Sequence, residues 1–107
     1  MAQDIFERIK EQIENDDIVL YMKGTPSLPQ CGFSQVTAEI LRRMGKPFQS
    51  YDVLQDPELR EGIKQFSDWP TIPQLYVRGE FVGGCDIIRS MYESGELEQM
   101  IGAPAAD

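Results

Sequence analysis

Cys31 is the residue of this chain best suited to chemistry. It lies in the stretch K-G-T-P-S-L-P-Q-C-G-F-S, from Lys23 to Ser34, directly before a segment with helical periodicity. Unpaired backbone N–H groups and the helix dipole at a helix start favour an anion, and they lower the pKa of a cysteine thiol from about 8.5. Lys23 adds positive charge if the loop folds back. The thiolate so formed is both a nucleophile and a metal ligand.

Ser34 stands where a C-x-x-C redox motif places its second thiol. The motif therefore offers one thiol without a resolving partner. A lone cysteine is also often a small buried hydrophobe, and that structural alternative stays open. The polar or small neighbours Gln30, Gly32 and Ser34 favour a functional role. Ser34 is also a potential helix cap, and Phe33 is more typical of core filler than of a lid beside the sulfur.

Composition limits the possible functions. The chain has 107 residues, of which 41% are hydrophobic and 26% charged, so we expect one globular domain spanning 1–107. Ten Lys and Arg against eighteen Asp and Glu give a net charge of −8, which argues against nucleic-acid binding. The two cysteines, the absence of an evident signal peptide and the short apolar runs lead us to expect a cytoplasmic protein with no membrane segment.

The chain contains no histidine, so the commonest general base and metal ligand is missing. Any chemistry must therefore come from cysteine, carboxylates, lysine, arginine or the backbone.

Hydrophobic periodicity predicts the element order αβαβαββα. Helices alternate with strands and a hairpin around Gly79 follows, which indicates a sheet that is part parallel, part antiparallel and covered on both faces. Asp56-Pro57 is typical of a helix start. The predicted helices involve Asp4–Asn15, Val36–Met44, Asp56–Phe66, Asp86–Met91 and Glu96–Ile101, and the predicted strands are Asp17–Lys23, Phe48–Leu54, Gln74–Arg78 and Glu80–Val82.

Two further stretches are candidates for function. Trp69–Gln74, W-P-T-I-P-Q, is predicted as a loop before a strand, with Pro73 a candidate for a cis peptide bond. Gly83–Asp86, G-G-C-D, predicts a turn capped by Asp86. The backbone N–H groups of that turn suit an anionic ligand, and a simple turn with a structural Cys85 is an equal alternative.

The four motifs K-G-T-P, C-G-F-S, W-P-T-I-P and G-G-C-D, in this order and spacing, resemble those of a monothiol glutaredoxin of the CGFS class. The resemblance covers the chain from about Ile5 to Ile101. It implies an α/β protein with the thioredoxin fold in its glutaredoxin form. The implied architecture is a central four-stranded mixed sheet flanked by helices, with a cis Pro73 before the third strand.

The resemblance also implies a binding site for glutathione. Lys23 would meet the glycine carboxylate and hold Cys31 as thiolate, and Arg60, otherwise typical of a solvated helix charge, would be a second cation for the carboxylate. Backbone groups before Pro73 would meet the cysteinyl part, and Asp86 with its neighbours the γ-glutamyl end. The implied glutathione-binding residues are Lys23, Arg60, Thr71, Ile72, Gly84, Cys85 and Asp86.

Cys31 is the candidate catalytic residue and the candidate metal ligand. A [2Fe–2S] cluster is normally held by four thiolates. One Cys31 from each of two subunits and two glutathione thiols make four, which is the arrangement the resemblance implies. A cluster with exchangeable ligands is expected to be labile. The implied role is cluster transfer to apo iron–sulfur proteins and iron homeostasis, as a cluster-bound homodimer or with a BolA-like protein.

Two other functions remain open from the sequence. The first is a glutathione-dependent oxidoreductase that reduces protein–glutathione mixed disulfides by a monothiol mechanism. The resemblance implies that this activity is weak, and we hypothesise that the loop T-P-S-L-P restrains it. The second is a non-catalytic binding module in which Cys31 is merely buried. A disulfide between Cys31 and Cys85 and the oligomeric state of the apo protein are likewise left open, with a monomer expected.

Overall fold

The computed structural model describes residues 4–102. The end of the sequence, G-A-P-A-A-D from Gly102 to Asp107, is expected from its composition to be a frayed tail, and all of it after Gly102 lies outside the described residues. None of the helices in this range is both long and apolar enough to cross a membrane. The helices are α1 Ile5–Asn15, α2 Gly32–Met44, α3 Pro57–Ser67, α4 Cys85–Ser94 and α5 Glu96–Ile101, and the strands are β1 Ile18–Met22, β2 Gln49–Asp52, β3 Gln74–Val77 and β4 Glu80–Gly83.

The four strands form one sheet in the order β2-β1-β3-β4. β1 is parallel to β2 and antiparallel to β3, and β4 is antiparallel to β3. Every residue of β1 is buried because helices cover both faces. Leu20 packs with α2, α4 and α5 on one face, and Tyr21 with α1 and α3 on the other. These features, with the cis Ile72–Pro73 bond, confirm the expected mixed-sheet fold.

Two local expectations differ from the structure. The predicted second strand ends at Asp52, because its carboxylate accepts the N–H of Leu54 at 3.0 Å and begins a 3₁₀ turn. Asp86 does not cap α4. Gly84 is the N-cap in an extended conformation, so Asp86 falls inside the first turn and pairs with Arg89 at 3.7 Å.

The strand register brings the functional segments to one edge of the sheet. Met22 at the carboxyl end of β1 is paired with Asp52, and Tyr21 is paired with Gln74 at the amino end of β3. Gly83, at the end of β4, is paired with Leu75. The loop before α2, the loop before β3 and the turn into α4 therefore all leave the sheet at the same edge.

Gly24 is predicted to be the least replaceable turn glycine. Its φ is 91°, and an added Cβ would lie 2.6 Å from the Leu28 carbonyl oxygen and 2.7 Å from the Gln30 nitrogen. Gly79 is a matched control, with a φ of 83° and nothing within 4 Å of an added Cβ. We expect Gly79→Ala to cost about 1 kcal/mol of stability. Gly24→Ala is expected to cost roughly 1–3 kcal/mol more, because the backbone must also shift.

Urea denaturation of both variants and of the unsubstituted protein checks this difference. Equal losses of unfolding free energy at the two glycines would contradict the role given to the close contacts at Gly24.

Candidate functional site

Cys31 is the N-cap of α2 and is half-buried, with extended backbone dihedrals of −153° and 136°. No side chain caps this helix, so its first N–H groups face the sulfur. The backbone N–H of Ser34 contributes most to lowering the pKa of Cys31. Partial burial opposes it, and the Phe33 N–H, the Lys23 charge and the Ser34 hydroxyl lower the pKa further. The sulfur is therefore stabilised as an accessible thiolate.

Ser34 has a role that sequence reasoning did not find. Its side chain is completely buried, and its Oγ accepts the backbone N–H of Lys23 at 3.0 Å. It therefore joins the start of α2 to the end of β1 and is not the helix cap that we considered. A signal was present, because Ser34 lies on the helix face shared by the buried residues Ala38 and Leu41.

The loop between β1 and α2 leaves the sheet and returns to nearly the same place. The Gln30 N–H donates to the Lys23 carbonyl at 2.9 Å, which closes its base. Thr25 and Leu28 exchange two backbone hydrogen bonds within it, at 3.0 and 3.2 Å. The Gly24 N–H donates to the Asp52 carboxylate at 2.9 Å. The loop is consequently a compact, anchored structure beside Cys31.

A cleft of about 590 Å³ opens next to the Cys31 sulfur, a volume typical of small-molecule sites. The loop before β3 and the start of α4 form its other walls. Seven of the eight residues that the sequence analysis assigned to the site line this cleft: Lys23, Cys31, Thr71, Ile72, Gly84, Cys85 and Asp86.

Arg60 is the eighth assigned residue, and it is not among the residues that line the cleft. Lys64, one helical turn later on α3, does line it. The Lys64 ammonium also lies 3.5 Å from the Glu61 carboxylate. The structure therefore makes Lys64 a second cation of the cleft, beside Lys23 among its lining residues, and the role of Arg60 stays a prediction. The i, i+4 spacing from Arg60 was the signal that could have found Lys64.

Phe33 and Cys85 occupy opposite environments within the cleft. Phe33 is 62% exposed beside Cys31, so the expectation of a core residue is wrong. It lines the cleft from the first turn of α2. Cys85 is buried, and both cysteines are free thiols.

The amino end of α4 forms a second place suited to an anion. Its N-cap, Gly84, provides no side-chain hydrogen bond, so the first N–H groups of the helix lack a side-chain acceptor. An added Cβ on Gly84 would lie 3.2 Å from Trp69 Nε1 and 3.4 Å from the Pro73 carbonyl oxygen. A glycine here therefore allows α4 to approach the loop before β3 closely.

The arrangement combines one nucleophilic thiolate with two cations, an open helix start and an apolar wall. Such a site suits a peptide-like ligand that carries carboxylates and a thiol. A site of this kind at the edge of this sheet defines a thioredoxin-fold thiol protein.

Comparison with known proteins identifies the family. The Glutaredoxin family profile matches residues 18–82, and the chain belongs to the glutaredoxin family. Within that family it is a monothiol glutaredoxin. It is 54% identical over 98 residues to a probable monothiol glutaredoxin 2 of Rickettsia conorii, covering 92% of each chain. It is 49% identical over 100 residues to glutaredoxin 4 of Escherichia coli, covering 94% of this chain and 87% of that protein.

Solved structures agree with the assigned fold. Reduced apo GrxS14 from poplar has a TM-score of 0.79 at 46% identity, covering 89% of this chain and 87% of its own. A buckwheat glutaredoxin solved as a glutathione complex has a TM-score of 0.82, covering 94% of this chain and 93% of its own. Its identity is 20%, so this second likeness concerns the fold alone.

The charge of Lys23 is predicted to raise the reactivity of Cys31 at neutral pH. Because the pKa of Cys31 is lowered, its alkylation by iodoacetamide should reach half its maximal rate at a lower pH than that of an ordinary thiol. Lys23→Gln is expected to move this midpoint upward. The measurement is the rate of alkylation against pH, read by mass spectrometry of the peptide that contains Cys31.

Lys46→Gln is the matched control, because Lys46 lies in the segment before β2, at the opposite edge of the sheet. A midpoint shifted equally by both substitutions would show that net charge alone is responsible. An inert Cys31 at neutral pH would instead favour the non-catalytic binding module.

Proposed function

We propose that this monothiol glutaredoxin carries a labile [2Fe–2S] cluster between two copies of the chain and transfers it to apo iron–sulfur proteins. The observation that carries the proposal is a stabilised, accessible Cys31 thiolate without a second thiol in its motif. Within residues 4–102 no three potential ligands among His, Cys, Asp and Glu are grouped for a metal ion. We therefore propose that the other ligands of the cluster come from outside the chain.

Glutathione is the proposed source of two of those ligands. The cleft offers Lys23 and Lys64 to carboxylates, and the open start of α4 offers backbone N–H groups. Asp86, which is exposed at the cleft, suits the ligand's ammonium group. The glutathione complex of the buckwheat protein, which shares this fold, is in keeping with the proposal.

The four-thiolate count then follows from two-fold symmetry. Two Cys31 sulfurs and two glutathione sulfurs supply the usual ligands of the cluster. The bound cluster would itself be the cargo that the protein transfers. The chain itself contributes the thiolate, holds glutathione beside it and lets the second subunit approach.

The surface around Cys31 supports an association of this kind. Leu28, Phe33 and Ile87 are apolar and are 67%, 62% and 39% exposed. Phe33 and Ile87 line the cleft, and Leu28 lies in the anchored loop before Cys31. Exposed apolar groups beside a reactive centre are typical of a docking surface. The proposed occupants are a second copy of the chain, a BolA-like protein, or an apo-protein that accepts the cluster, in a reducing, cytoplasmic setting.

Anaerobic reconstitution with iron, sulfide and glutathione tests the cluster proposal. We expect a visible chromophore in a species of twice the monomer mass, and its loss when glutathione is omitted or Cys31→Ser is used. Absorbance combined with native mass spectrometry provides the readout.

Cys85→Ser identifies the protein ligand. A chromophore that survives Cys31→Ser but not Cys85→Ser would make Cys85 the protein ligand and contradict the role proposed for Cys31. No chromophore in the unsubstituted protein would refute the proposal.

The oxidoreductase reaction is a second candidate, favoured by the lowered pKa of Cys31. The Cys31 thiolate would attack the glutathionyl sulfur of a mixed disulfide, form a Cys31–glutathione disulfide and release the protein thiolate. A second glutathione thiolate would then form oxidised glutathione and regenerate Cys31. In each step one thiolate is consumed and one is released, and one disulfide bond breaks as another forms, so the electrons balance without a further oxidant or reductant.

The anchored loop is predicted to restrain this reaction. Deleting residues 25–29 should raise the rate of mixed-disulfide reduction, because the loop beside Cys31 would no longer hold the glutathione thiol away from the geometry needed for attack. The ends lie close together, since Gln30 N–H already contacts the Lys23 carbonyl. The rate is followed by release of a reporter thiol.

Leu28→Ser is the matched control, because it removes the loop's exposed apolar side chain but keeps its length. An unchanged rate after the deletion would show that the loop does not slow the reaction. An equal increase in Leu28→Ser would show that the Leu28 side chain, and not the length of the loop, slows it.

A further inference from the structure

Gln74, the first residue of β3, has a completely buried side chain directly behind the loop that lines the cleft. Its Nε2 donates to the Trp69 carbonyl and to the Thr71 carbonyl, both at 3.1 Å. Its Oε1 is buried and accepts no hydrogen bond within the described range 4–102. One side-chain nitrogen thus uses both of its hydrogens on the loop.

The orientation of this carboxamide follows from its surroundings. A reversed amide would place Oε1 against two carbonyl oxygens, where no donor is available. An apolar side chain of similar volume would avoid burying an unpartnered oxygen. What the carboxamide adds is the pair of hydrogen bonds to the loop.

The loop has little else to hold its backbone. Pro70 and Pro73 have no N–H group to donate. Across residues 70–73, all of which the structure describes, no backbone–backbone hydrogen bond is present. Gln74 is therefore the hydrogen-bonded link between the rigid strand and the cleft wall.

This link determines where the Ile72 N–H points. The Thr71 carbonyl and the Ile72 N–H belong to one planar trans peptide unit, in which they point in opposite directions. Because the carbonyl is turned inward to Gln74, the N–H is turned away from it. Thr71 and Ile72 both line the cleft beside Cys31, so the outward group is available to a ligand there.

We infer that Gln74 is a positioning residue for glutathione: its buried carboxamide holds the Thr71–Ile72 peptide unit so that the Ile72 N–H faces the cleft. The inference rests on the proposed binding of glutathione. Gln74 itself does not touch the ligand and acts through the loop backbone.

Gln74→Met tests the inference, because it keeps the approximate volume and removes both donors. We expect a folded protein in which the Ile72 N–H becomes more mobile by ¹⁵N relaxation. The Kd for glutathione, measured by NMR titration, should rise about tenfold, as expected for the loss of a preorganised hydrogen bond.

Gln74→Glu provides a second measurement, the pH dependence of glutathione affinity, which a merely structural role of Gln74 would not change. At pH 7.5 the introduced carboxylate faces two carbonyl oxygens, and burial raises the pKa of such a group. Acidification restores one donor, so the ratio of this variant's Kd to that of the unsubstituted protein should fall toward one. Taking the ratio at each pH removes the titration of Cys31 and of glutathione itself.

Gln12→Glu is the matched control. Gln12, on α1, accepts a hydrogen bond from the Tyr21 hydroxyl at 2.9 Å, and a carboxylate can still accept it. Its Kd ratio should not depend on pH.

Two results would overturn the inference: unchanged glutathione affinity in Gln74→Met, or global unfolding of both Gln74 variants. If the unsubstituted protein binds no glutathione, the proposed function fails. The mobility of the Ile72 N–H then still decides whether Gln74 holds the loop.

Discussion

The backbone N–H groups at the start of α2 stabilise the Cys31 thiolate, and the rest of the site depends on that charge. The other elements form a cleft beside it. A thiolate at a helix N-terminus needs no histidine to activate it, which fits a chain that has none. A ligand that reacts with this thiolate must also contact the loop before β3 and the start of α4, so these segments must lie close to the sulfur. The sheet provides this, because the strand ends that carry the three functional segments meet at one edge.

Three polar side chains hold the segments that surround the sulfur. Ser34 fixes the Lys23 N–H, Asp52 fixes the Gly24 N–H, and Gln74 fixes the loop before β3. Each accepts from or donates to backbone groups and so determines backbone position, and the Ser34 hydroxyl in addition lowers the pKa of Cys31. Buried polar groups are costly unless they are paired, and the pairing of Ser34 Oγ joins the start of α2 to the end of β1, as that of Gln74 Nε2 joins β3 to the loop before it.

The elements were predictable because their signals are local. The apolar run in β1, the Asp56-Pro57 helix start and the hairpin around Gly79 each depend on residues close in sequence. The predicted elements were found, with shifts at their ends where a side chain or a glycine sets the boundary. Asp52 ended β2 early by accepting the Leu54 N–H, and Gly84 took the cap position expected for Asp86.

The sequence by itself determined that the Cys31 thiol stands at a helix start, that its motif lacks a second thiol, and that four motifs resemble those of one family. These depend on residue identity and spacing alone. Only the tertiary structure decided that Lys64 lines the cleft, that Phe33 is exposed, and that Ser34 and Gln74 are buried against backbone groups. The reason is physical: each of these facts depends on which residues distant in sequence come within a few ångströms, and that is set by strand register and helix packing.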